Sequence, residues 1–99
     1  MPIHHIVLFK LKPELSQEDR DSFLTICQEG LAKVPYGTND AMGPPMNDAF
    51  ARGYEYGLYR CLKDVEELQA YRTCPEHMEL INGVVKERVA EMCSFQIQA

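Results

Sequence analysis

The stretch IHHIVLFKLK, residues 3–12, decides how the chain folds. Branched and aromatic side chains dominate it, so it reads as a strand. Its alternate positions are Ile3, His5, Val7, Phe9, Leu11 on one side and His4, Ile6, Leu8, Lys10, Lys12 on the other. Both sets are largely apolar, so both faces of this strand must be covered.

The neighbouring segments say what covers it. Ser16-Gln17-Glu18-Asp19 reads as a capped helix start with acid in its first turn. Phe23, Ile26, Cys27, Leu31 and Val34 then recur at helical spacing, and Pro35-Tyr36-Gly37 stops the run. A short strand is expected around Asn39 to Met42, ended by Pro44-Pro45. Residues 54–62, YEYGLYRCL, read as the next strand, with Tyr54, Tyr56, Leu58 and Leu62 on one face and Tyr59 and Cys61 on the other. Asp64 begins a second helix carrying Val65, Leu68 and Tyr71, which Pro75 breaks. A third helix is expected with Met78, Ile81, Val85, Val89 and Met92 on its buried side. The closing CSFQIQ alternates, predicting Cys93, Phe95 and Ile97 inward and Ser94, Gln96 and Gln98 outward.

The order strand, helix, strand, strand, helix, helix, strand predicts an α+β, ferredoxin-like fold. It is a four-stranded antiparallel sheet with helices on one face, in a single domain spanning residues 1–99. The other face keeps Ile6, Leu8, Tyr59 and Cys61, too apolar to leave in water. Pairing two such faces in a homodimer, as a dimeric α/β barrel, is the expected solution.

Composition narrows the partners. The chain has 99 residues, 45% hydrophobic and 25% charged, with a formal charge of −5. That balance argues against nucleic acid, which calls for a basic stripe. No segment is long and apolar enough for a membrane, and MPIHHIVLF lacks the pattern of a secretory leader. The four cysteines, Cys27, Cys61, Cys74 and Cys93, form no CxxC pair. Free thiols and a cytoplasmic location are therefore expected.

Chemistry concentrates in YRTCPEHM, residues 71–78. On an unbroken helix Tyr71 and His77 would lie about 240° apart, but Pro75 redirects the chain and allows them to converge. With Pro75 as the first helical residue, His77 falls in the first turn, where the helix dipole favours a neutral imidazole. A neutral histidine beside a tyrosine is a base beside a hydrogen-bond donor. The same histidine can also serve as a tie between the third helix and the first strand through His5. His4 and His5 point to opposite faces and cannot chelate a metal together, so neither metal nor other cofactor is expected.

The opening HHIVLFKLK, the central RGYEYGLYRCLKDVEELQAY and the following CPEHM resemble the stress-responsive A/B barrel (Dabb) family over almost the whole chain. Cys74 stands where that family usually has the first histidine of its Tyr-x-x-His-Pro-x-His stretch, and the loop Met42 to Asp48 carries an unusual Gly-Pro-Pro. The resemblance implies a small homodimer. Through the family's polyketide cyclases, of the olivetolic acid cyclase type, it implies an intramolecular aldol cyclisation without cofactor. On that basis His77 is the base, Tyr71 the donor and His5 a strand histidine facing the same pocket, while Tyr56 occupies another pocket position. A pocket of Phe9, Phe23, Leu58 and Tyr71, with His77 at its end and a small hydrophobic or aromatic ligand inside, favours this reading. A filled core there favours a non-catalytic stress-responsive binding dimer. A ferredoxin-like monooxygenase or lactone isomerase is the third reading.

Overall fold

The computed structural model describes residues 1–99. Strand β1 (Ile3–Leu11) leads into helix α1 (Gln17–Ala32), followed by β2 (Thr38–Gly43) and β3 (Tyr56–Leu62). Helices α2 (Val65–Thr73) and α3 (Pro75–Leu80) come next. A π-turn (Ile81–Val85) and a short helical turn (Lys86–Arg88) then connect to β4 (Val89–Gln98). The sheet order is β2-β3-β1-β4, antiparallel throughout.

Local chemistry accounts for the boundaries. The Ser16 side chain accepts from the Asp19 amide and opens α1, and Asp64 does the same for α2 through the Glu67 amide. Each such cap is worth about 1 kcal/mol. Pro75, with no N–H to give, starts α3 after Cys74 leaves the helical conformation at ψ 149°.

Helices cover one face of the sheet. Val7, Phe9 and Leu11 of β1 and Leu58 and Leu62 of β3 meet Phe23, Cys27 and Leu31 of α1 and Leu68 and Tyr71 of α2. Phe23 stacks edge-to-face on Phe9 at 5.7 Å between ring centroids. Each such side chain contributes roughly 1.5–3 kcal/mol by leaving water. One charge lies inside this layer. Arg60 of β3 is 3% exposed and donates to the carbonyls of Leu31, Val34 and Tyr36, while pairing with Asp40 at 3.1 Å. It ties the end of α1 and the following turn to the sheet. Gly37, at φ +93°, lies so close that an added Cβ would stand 2.5 Å from Arg60 Nε.

The end of the chain departs from expectation. Val89 and Met92 belong to β4 rather than to a third helix, and Met78 points outward, 39% exposed. The helix turns to strand at Val89 because the sheet edge beside β1 takes up residues 89–98. The alternation in β4 is also reversed relative to the core. Phe95 pairs with Ile6 and Cys93 with Leu8, on the side without helices, whereas Ser94 and Gln96 stand opposite Val7 and His5 on the helical side. The bare face thus gathers Ile6, Leu8, Tyr59, Phe95 and Ile97, the last two 58% and 45% exposed in the single chain. No helix is long and apolar enough to cross a membrane.

Candidate active site

Between the sheet and the segment α2–α3–π-turn lies a cavity of about 120 Å³. Phe9, Leu31, Leu58, Leu80 and Val85 make most of its wall, and its polar members are His5, Tyr71, Arg72, His77 and Ser94. The exposed lining residues Arg72, Met92 and Ser94 place its mouth beside the β4 edge.

Pro75 brings Tyr71 and His77 together, with ring centroids 4.4 Å apart. His5 meets the same tyrosine from β1, edge-on at 5.4 Å. Of the sequence-predicted pocket residues, Phe9 and Leu58 also line the cavity. Phe23 and Tyr56 do not. Phe23 is fully buried behind Phe9, and Tyr56 packs against Phe23 and turns toward a separate cleft under Pro44 and Pro45.

Hydrogen bonds determine which atoms of this cluster donate. His77 Nδ1 lies 3.2 Å from the Arg72 carbonyl. A carbonyl only accepts, so the neutral ring donates its Nδ1–H there and keeps a lone pair on Nε2. His5 has the opposite tautomer. Gln96 Oε1 accepts from the Arg72 guanidinium at 3.3 Å, which turns Gln96 Nε2 toward His5 Nδ1 at 2.9 Å. His5 Nδ1 therefore accepts, and its Nε2 carries the proton. The Tyr71 hydroxyl enters no hydrogen bond within the chain. Since no buried side-chain oxygen is sealed off without a partner, that hydroxyl keeps some accessible surface, and Tyr71 is one of the residues lining the cavity. The site presents one free base and two donors.

Burial sets the protonation states. It lowers His5 to about 4, with Arg72, His77 and Arg60 pushing the same way. It lowers His77 as well, against the Arg72 carbonyl, which raises it. Desolvation is thus the first cause of a neutral His77. Burial raises Tyr71 to about 12, outweighing the opposing Arg60 guanidinium 5.3 Å from its ring. Cys74, buried, donates its thiol to the Tyr71 carbonyl and acts as a joint in the chain.

His4 takes no part, pointing to the bare face and bonding the Tyr59 hydroxyl at 2.8 Å. Sequence reading did not single out Arg60, Arg72 or Gln96. A lone charge between Leu58 and Leu62 on a core-facing strand signals Arg60, since such a residue stays buried only when paired.

The model of the Stress Responsive A/B Barrel Domain, Dabb, matches residues 3–98. The chain belongs to the Dabb family. A Dabb protein with a ferredoxin-like fold from Mesorhizobium loti superposes with a TM-score of 0.85 at 17% identity, covering 99% of this chain and 96% of that one. A dimeric ferredoxin-like protein of unknown function from Thermobifida fusca gives 0.83 at 21% identity, covering 100% and 92%. The hydroxynitrile lyase of Passiflora edulis gives 0.78 at 18% identity, covering 97% and 91%. Comparison with curated proteins finds no match. At these identities the likeness establishes the shared Dabb fold.

Proposed function

We propose that this Dabb protein is a small cofactor-independent enzyme that makes or breaks a carbon–carbon bond next to a carbonyl, in the manner of a polyketide cyclase. The free Nε2 of His77 beside the Tyr71 ring carries the reading. In an intramolecular aldol closure, His77 Nε2 takes a proton from a carbon flanked by two carbonyls. The resulting enolate carbon attacks a carbonyl further along the same chain. Tyr71 donates to the oxygen on which charge develops, His5 Nε2–H adds a second donor, and the imidazolium returns its proton to that oxygen. Cleaving a hydroxynitrile to a carbonyl compound needs the same base and donor, so the Passiflora neighbour fits the general class. The cavity is close in size to one of ~150 Å³ that holds benzene, which suits a single ring or a short keto chain.

The working unit in this proposal is a homodimer formed through the bare sheet face. Its apolar run across β3, β1 and β4 supports pairing, and neighbours from Thermobifida fusca, Bacteroides fragilis and Jannaschia are described as dimeric.

The test is turnover of a short poly-β-keto thioester, and separately of an aromatic cyanohydrin, followed by chromatography. His77→Ala is expected to abolish turnover. Tyr71→Phe should cost about 2–4 kcal/mol of barrier, roughly 30- to 1,000-fold in rate. Both variants should keep the native melting profile within a few degrees. Unchanged turnover in His77→Ala would falsify the assignment, and ligand binding without turnover in the unaltered protein would return the non-catalytic reading.

A further inference from the structure

We propose that the ligand of this cavity carries a carboxylate on a small apolar body, and that Arg72 at the rim receives it. The inference rests on the cavity being the working site and specifies the class of molecule it takes.

Arg72 follows Tyr71 at the end of α2 and is wired to both histidines. Its carbonyl accepts from His77, and its guanidinium donates to Gln96, which in turn donates to His5. A guanidinium has five N–H donors, and only one is engaged, at 3.3 Å, with no carboxylate among its partners. No Asp or Glu lines the cavity. The other polar members of the lining are His5, Tyr71 and Ser94, whose hydroxyl accepts from Gln96 and keeps its own proton to give, so each can donate, and the one group that can only accept is His77 Nε2. Burial chiefly holds His5 neutral, and the Arg72 guanidinium presses it the same way. In a chain of formal charge −5, the one charged side chain lining this apolar space is thus a cation, Arg72.

A forked cation at the mouth, donors within and an apolar wall are complementary to an amphipathic acid. A neutral hydrocarbon would leave the donors unpaired, and a cation would be repelled. The volume admits a ring of benzene size or a short branched chain, with the acid group outward at Arg72.

The experiment compares benzoate with benzamide, its neutral counterpart of similar shape, by NMR titration at pH 7 and low salt. Benzoate is expected to bind at least tenfold more tightly. Arg72→Gln should erase that preference, and Arg72→Lys should restore part of it. Equal binding of the two probes, no benzoate binding at millimolar concentration, or a preference that survives in Arg72→Gln overturns the proposal. The result also separates from that for catalysis. Benzoate preference in a protein that turns over no keto thioester removes the catalytic reading alone. Turnover without benzoate preference removes this one alone.

Discussion

Two histidines in this site share neutrality but differ in what their protons do. In the proposed reaction His77 acts only while unprotonated, and burial lowers its pKa below the ordinary 6.5. Activity should therefore be level around neutrality and fall only on acidification past that lowered value, with Tyr71, raised to about 12, adding no alkaline limb below pH 9. A rate that halves near pH 7.5 would contradict this. His5 should appear in stability instead. Its pKa drops from 6.5 unfolded to about 4 folded, so the unfolded chain binds the extra proton. The stabilisation is complete above about pH 6.5 and drains away as the pH falls toward 4, by about 3 kcal/mol at most. Carboxylates titrate in part of the same window, so the useful quantity is the difference between the native protein and His5→Gln. Urea midpoints from pH 7 to 4 should fall more steeply in the native protein.

At the level of elements, Arg60 is the joint between the helical layer and the sheet. It satisfies three carbonyls, one in the last turn of α1 and two just after it, so Arg60→Met should lower stability by about 3 kcal/mol, leaving those acceptors and Asp40 without their partner. Thermal unfolding should show a fall of more than 10 °C, at roughly 4–8 °C per kcal/mol for a domain of this size. A loss under 1 kcal/mol would mean the carbonyls find water. The elements up to Pro75 were legible because each carries an unambiguous signal: double-sided apolarity in β1, side-chain caps at Ser16 and Asp64, and a proline at the break. Beyond Pro75 the signal divides. Val85, Val89 and Met92 fit a helical spacing, yet the register shift between Lys10 and Leu11 lets the last two stand opposite Leu11 and Phe9, on the helical side, from a strand. Gln96 and Ser94 are polar, which suggests solvent, but Gln96 faces inward because His5 needs a donor there. In the site, the meeting of Tyr71 with His77 could be read from Pro75. The tautomers could not, because they depend on the Arg72 carbonyl and on Gln96, brought in from β4.

For the whole molecule, the proposed dimer rests on the bare face. Leu8 sits at its centre, paired with Gly57 and Cys93. Leu8→Glu would bury an unpaired carboxylate at the proposed contact and should shift the protein to monomer at micromolar concentration in sedimentation. A dimer that tolerates this change would place the contact elsewhere. The cavity and the bare face occupy opposite sides of one sheet, with β1 turning His5 to the first and Ile6 to the second. Self-association and occupancy should accordingly be independent. Saturation curves should be hyperbolic, with a Hill coefficient near one and a midpoint indifferent to dilution, whereas the temperature of unfolding should climb with protein concentration.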